Sequence, residues 1–334
     1  MNITTIGDLA RALSGRTEAA RLRSELERLT GEITSGRVAD VPARVRGDFA
    51  PLAGIERDLA RLEAYETATG EARGLAAAMQ TTLESVRTRM GSAGADFLSA
   101  ASAVAAAQIQ ALGEQAEQRF LDTVGDLGLT FAGQYVFSGT AVDSPPLASA
   151  PDMLAAIRTA VASETTSAGV VAAVDAWFGP GGGFEAAGYS GGADPRAPLA
   201  LGGGATATLD VTAGDEPLRA LLKSHALGAL MADGPLTDPV ERRALTRQAG
   251  LAMVQAEAGI VTLQAGIGVA EEAIVRQQTV NATQQTALQL ARTEILGADP
   301  FERATELEAV QIQLESLYTL TARTARLRLT EFLR

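Results

Sequence analysis

The chain has 334 residues, 46% of them hydrophobic but only 4% aromatic, and it contains no cysteine. Disulfides, thiolate metal sites and cysteine nucleophiles are thereby excluded, and the abundance of small apolar residues favours closely packed helices over a bulky core. The formal net charge of −12 disfavours long-range attraction to nucleic acid or to an anionic membrane surface.

Met1 to Ala10 carry neither a basic start nor an apolar run, so no secretory leader is expected there, and no apolar stretch of membrane length is expected anywhere. A first helix is predicted from Ile6 to Ser35, closed by Gly36, with a polar connection through Asp40 and Pro42. Its Leu22, Leu26, Leu29 and Ile33 recur at steps of four, three and four, the spacing of a narrow coiled-coil seam. Pro51 restarts helix, and Leu52, Ile55, Leu59 and Leu62, then Met79, Leu83, Val86 and Met90, continue the pattern toward Leu127. Gly91 and Gly94 are its weak points.

The pattern changes at Phe131. Phe131, Tyr135, Val136 and Phe137, followed by Ser138, Gly139 and Thr140, suit a short strand and turn, and Pro145 and Pro146 forbid helix. Helices are predicted over Asp152–Glu164 and Val170–Phe178 and a strand over Ala205–Val211, with turns at Gly181–Gly183 and Gly202–Gly204. Between Gly139 and Pro217 nine carboxylates face two arginines, so more than half of the net negative charge lies in this middle segment. The apolar stripes lie toward the two ends, so deletion of Pro145–Asp215 is expected to leave assembly intact.

Helix resumes from about Pro235, with a seam running Ile267, Ala270, Ile274, Gln277, Asn281, Gln284, Leu288, Ala291 and Ile295. Its three polar members are read either as register-fixing seam residues or as solvated ones. Gly297, Asp299 and Pro300 end this helix, and a last one covers Phe301 to the C-terminus with Leu307, Val310, Leu314 and Leu317 at steps of three, four and three, then Leu320, Leu327 and Leu329. The fold class expected is mainly α: a long antiparallel helical bundle or coiled coil of the N- and C-terminal segments, with a small α+β insert in the middle. The division expected is 1–45 with 300–334 as terminal coiled coil, 46–140 with 225–299 as helical rod, and 141–224 as outer insert.

Catalytic constellations are sparse. His225 is the single histidine, so zinc motifs built on histidine pairs are excluded, and a surface or capping role is expected for it. No phosphate-cradling glycine motif is present, and Glu271 and Glu272 read as ordinary salt-bridging residues. No enzyme, cofactor or metal site is expected. Asn2 and Asn281 fall in glycosylation-type triplets that read as chance spacing, and Arg323, Arg326, Arg328 and Arg334 suit the negative end of a helix dipole. A narrow stripe is stable only when covered, so Leu22, Leu26, Leu29, Ile33, Leu307, Val310, Leu314, Leu317, Leu320 and Leu327 are the expected assembly interface.

Three stretches carry a resemblance. Leu29-Thr-Gly-Glu-Ile-Thr-Ser-Gly-Arg37 is similar to the "L…I-x-S-G" end of the first helix in the flagellin superfamily. Gly133-Gln-Tyr-Val-Phe-Ser-Gly-Thr140, with Asp143 and the two prolines, resembles its "G-x-Y-x-F-x-G-T-x-x-D-x-P-P". Glu302–Arg334, with A-T-E-L at Leu307 and "LRLTEFL" near the end, looks like the shared flagellin tail. After Arg37 the family's "N-x-x-x-D-D-P" type stretch is replaced by Val38–Arg44. Within the superfamily the chain looks most like the hook-associated protein 3 family. The resemblance implies a structural subunit exported by the flagellar type III route to the hook–filament junction. Its implied partners are hook-associated protein 1, flagellin, further copies in a ring, and a chaperone gripping the C-terminal helix around Leu307–Leu329. Flagellin itself is the alternative within the superfamily, and a cytoplasmic coiled-coil scaffold the alternative outside it.

Overall fold

A computed structural model describes residues 6–103 and 106–332. Among these residues ten helices carry the fold: α1 (Ile6–Ser35), α2 (Val41–Arg44), α3 (Ala50–Met90), α4 (Ala93–Ala103), α5 (Ala106–Leu127), α6 (Ala150–Val161), α7 (Ser167–Phe178), α8 (Glu216–Asp233), α9 (Pro239–Leu296) and α10 (Pro300–Phe332). Two short antiparallel hairpins supply the strands, β1 (Thr130–Phe131) with β2 (Gln134–Tyr135) and β3 (Leu199–Gly202) with β4 (Ala205–Ala207). The fold is mainly α, as the periodicity predicts.

Local chemistry sets the boundaries. At Ser35 the first helix stops because Gly36 takes φ +67°, a conformation glycine adopts without penalty, and its N–H donates to the Glu32 carbonyl at 2.8 Å. The long helix predicted from Pro51 is cut where Gly91 takes φ +47°. Between β1 and β2 both turn residues have positive φ, Ala132 at 51° and Gly133 at 79°, the two-residue loop that matches strand twist. Only Ala205–Ala207 of the strand predicted to reach Val211 pairs, with Leu199–Gly202.

The chain divides into two compact units, residues 1–62 with 282–334 and residues 63–281, so α3 and α9 each contribute to both. The 63–281 unit has one continuous core. Met79, Phe97 and Phe120 from the long helices share it with Phe137, Ile157, Trp177 and Phe184 from the middle segment, and with Leu222 of α8 and Ile260 of α9. Trp177, Phe178, Phe184 and Tyr189 form a chain of ring contacts with centroids 4.7 to 6.2 Å apart. The Ala213 N–H donates to the Phe137 carbonyl at 2.9 Å. The middle segment is therefore no detachable insert: removing Pro145–Asp215 would take Ile157, Trp177, Phe184 and Leu209 out of the core that the helices depend on.

From sequence, Glu216–Asp233 carries no predicted element, yet it is the central helix of this unit, with eleven of its eighteen residues buried. A helix covered nearly all round shows no three-four stripe to read. Its Gly228 sits where a Cβ would lie 2.7 Å from the Ala116 Cβ, 2.8 Å from the Met253 Cε and 3.0 Å from the Phe97 Cζ. Gly228→Val is expected to overpack three helices and lower stability by about 2–3 kcal/mol, measured as the urea midpoint of the Trp177 fluorescence transition.

Candidate assembly surface

The smaller unit, residues 1–62 with 282–334, holds the residues singled out from sequence. Here α1 packs on α10 in antiparallel sense: Gly15 lies by Thr321, Arg23 by Tyr318 and Glu32 by Arg303. Leu22 and Leu29 are buried in this pair, while Leu26, Ile33, Leu307, Val310, Leu314 and Leu317 are half-buried. Leu320 is 60% exposed, and the side chain of Leu327 lies outside the described residues. Two helices cannot cover each other fully, so Leu13, Phe301 and Ile312 stay exposed alongside Leu320.

Polar contacts set the register of the pair. The Arg23 guanidinium donates to the Tyr318 hydroxyl at 2.6 and 3.0 Å and lies 5.8 Å from the ring centroid. Glu32 is buried near the end of α1. Its Oε1 accepts from Arg28 Nη1 at 2.5 Å and from the Ala39 N–H at 2.9 Å, and its Oε2 lies 3.6 Å from Arg303 Nε. Arg303 reaches on to Glu306 at 2.6 Å and Glu302 at 3.1 Å. Hydrogen bonding from Arg28 holds the Glu25 carboxyl below its ordinary range. One carboxylate thus joins the end of α1, the connection that follows it, and the start of α10.

The helix ends are also joined through backbone. Val38 donates to the Leu296 carbonyl at 2.9 Å, Ala298 to the Gly36 carbonyl at 3.1 Å, and Arg44 Nε to the Ile295 carbonyl at 3.1 Å. This connection, Val38–Arg44, is the stretch in which the sequence departs from the family pattern, and it makes its own contacts. Glu32→Ala is expected to leave Arg28 and Arg303 without their shared partner and to loosen the α1–α10 pair by about 3 kcal/mol. Faster amide exchange in α1 and α10, with the Trp177 transition unchanged, is the measurement that checks it.

In the 63–281 unit the polar seam residues divide. Asn281 is buried, donates to the Leu201 carbonyl at 3.1 Å and accepts from Gln277 Nε2 at 2.8 Å, whereas Gln284, beyond this unit's last residue, is exposed. Asn281 therefore pins the β3–β4 hairpin to α9 and is closed to glycosylation; Asn2 lies outside the described residues. The side chains of Arg326, Arg328 and Arg334 are also outside them, and Arg323 is exposed.

His225 corrects a sequence expectation. Rather than sitting on the surface or at a cap, it is 2% exposed in the middle of α8, and neither ring nitrogen has a hydrogen-bond partner among the described residues. Burial, reinforced by the Arg119 charge, pushes its pKa down to about 3. Arg119 on α5 is half-buried and carries no sequence signal: Nε donates to the Arg89 carbonyl at 3.2 Å, and Nη1 is shielded from solvent without a hydrogen-bond partner among the described residues.

A second correction concerns α9. It contains an 18-residue stretch that by length and composition is apolar enough to cross a membrane, where none is expected from sequence. Met253, Ile260, Ile267 and Ile274 on one face of this helix belong to the core. Among the described residues no group of three or more His, Asp or Glu is placed to hold a metal ion.

Residues 252–333, the greater part of α9 and all of α10, match the bacterial flagellin C-terminal helical region. A comparison with curated proteins gives no match. Among solved structures the fold is similar to that of a protein assigned as a flagellar hook-associated protein from Vibrio parahaemolyticus. The identity is 14% and the TM-score 0.53, covering 73% of this chain and 95% of that one. It is similar also to FlgL of Bacillus cereus, with 17% identity and a TM-score of 0.52, covering 72% of this chain and 100% of that one. The resemblance to flagellin is thereby borne out over residues 252–333, and the fold as a whole is similar to that of the two hook-associated proteins.

Proposed function

We propose that this chain, a flagellar structural protein of the flagellin and hook-associated kind, is the hook–filament junction subunit, corresponding to hook-associated protein 3. The observation that carries this reading is the flagellin-type C-terminal region, residues 252–333, whose last helix α10 pairs with α1 and leaves Phe301 and Ile312 exposed. An incompletely covered two-helix pair is a surface that assembly completes. In this reading Leu22, Leu26, Leu29, Ile33, Leu307, Val310, Leu314, Leu317, Leu320 and Leu327 form the assembly interface. The partners are hook-associated protein 1 on one side, the first flagellins on the other, and further copies within a ring. Export follows the flagellar type III route, with a chaperone covering α10 until assembly, and the protein acts outside the cell with no catalytic role.

Flagellin itself is the second reading, favoured by the same C-terminal match. Deleting the gene separates the two. Bare hooks with flagellin released into the medium are expected for the junction subunit; bare hooks without released flagellin would identify the chain as the filament subunit, and normal filaments would overturn both.

A further inference from the structure

The apolar core of the 63–281 unit begins on α3 at Ala72 and ends on α9 at Ile274. From there to the ends of the unit, the buried side chains of these two helices are polar. Thr69 turns its hydroxyl onto the Tyr65 carbonyl at 2.8 Å, and Asn281 is the last residue of the unit. Side-chain bonds that join α3 to α9 directly lie deeper: Gln80 Nε2 donates to the Gln264 carbonyl at 2.7 Å, and Gln264 Nε2 to Glu84 Oε2 at 3.1 Å. At the end itself the bridge is the tip of the β3–β4 hairpin.

Three glycines with positive φ make that tip, Gly202 at 105°, Gly203 at 59° and Gly204 at 83°. Gly202 rests on α3, so closely that a Cβ there would lie 2.5 Å from Tyr65 Cδ2. A bulge between Ala200 and Gly202 takes Leu201 out of the ladder register. Its carbonyl accepts from Asn281 Nδ2 of α9 at 3.1 Å, and Gln277 Nε2 holds the Asn281 amide in place at 2.8 Å. The Leu201 side chain, fully buried, supplies the apolar grip.

We propose that this tip is a releasable clasp: closed, it ties α3 to α9 where the core ends, and open, it lets the two helix segments bend there while the core stays folded. Size and chemistry both point to release. A ladder of four residues against three is marginal by itself and stays formed only while it is docked. Opening uncovers mainly polar groups. The Asn281 and Gln277 amides and the Leu201 carbonyl exchange their mutual bonds for bonds to water, so little is lost beyond the burial of Leu201 itself. A subunit whose ends are completed by its neighbours can then redirect them without unfolding, and in that clause the inference rests on the proposed structural role.

Hydrogen exchange of the isolated full chain, followed by mass spectrometry, tests the clasp with two variants. Gly202→Ala drives a methyl group into the Tyr65 ring at a φ that alanine avoids, whereas Tyr65→Ala removes the ring and leaves the hairpin backbone unstrained. In both, exchange is expected to quicken at least tenfold in residues 63–69 and 275–281 as well as in 199–207, with α8 and the Trp177 melting transition unchanged. Faster exchange confined to 199–207 would reduce the hairpin to a passive loop, and a shifted Trp177 transition would make it part of the cooperative core. Either result overturns the clasp, as does unchanged exchange in Tyr65→Ala. The measurement needs no flagellum, so normal filaments after gene deletion would remove the junction reading and leave the clasp to be decided by exchange alone.

Discussion

Leu314→Asp with Leu317→Asp is expected to abolish incorporation of the chain into the flagellum while leaving the 63–281 unit folded. Both leucines are half-buried along the α10 seam that faces α1. Placing two carboxylates there removes about half of the ~1.5–3 kcal/mol that full burial of each leucine would contribute and adds the desolvation of two charges at the seam. Against the 5–15 kcal/mol that holds a whole domain, the α1–α10 pair cannot absorb such a loss. The larger unit has its own core, and the only tryptophan, Trp177, lies in it. Two readouts therefore separate: the Trp177 melting transition should stay within a few degrees of wild type, and immunogold labelling of hooks and filaments should fall to background. A shifted Trp177 transition would mean that α10 supports the larger unit as well, and normal labelling would remove the α10 stripe from the assembly surface.

Stripes that bury one face are legible, because Leu22, Leu29, Met79, Leu83 and Val86 repeat at helical spacing against polar neighbours; α1 was predicted to its last residue because Gly36 supplies the left-handed cap. Elements buried all round are not legible. Glu216–Asp233 offers Leu, Ala, Gly and Met on every side, and the signal that marks an amphipathic helix is absent where burial is greatest. His225 was misread for the same reason: with no helix assigned, nothing indicated that its neighbours on every side would be core residues. The middle segment misled through composition. Its glycines and carboxylates read as a dispensable insert, yet many of its large side chains, Ile157, Trp177, Phe184 and Leu209 among them, belong to the shared core. Of the proposed assembly surface, the α1 and α10 stripes are legible, because their leucines recur at helical spacing.

Acidification from pH 7 to pH 3 is expected to destabilise the 63–281 unit through His225. In the unfolded chain the imidazole titrates near its ordinary value of about 6.5, whereas in the fold its pKa is pushed down to about 3 by burial and by Arg119. Between those two values the unfolded state binds the proton and the folded state does not, so stability falls as pH falls through this window and is fully restored above it. Three and a half units correspond to at most about 5 kcal/mol, enough to dominate a marginal domain. Carboxylates also titrate over this range, so the wild type alone cannot isolate the histidine. His225→Leu removes two unpartnered nitrogens from the core along with the titration. The variant should therefore be about 1–3 kcal/mol more stable at pH 7, and its advantage should widen steadily toward pH 4. Urea midpoints of Trp177 fluorescence for the two chains, taken at half-unit intervals of pH, give the difference directly. A constant difference across the series would mean that His225 is charged in the fold or reached by water, and would return it to the surface role read from sequence.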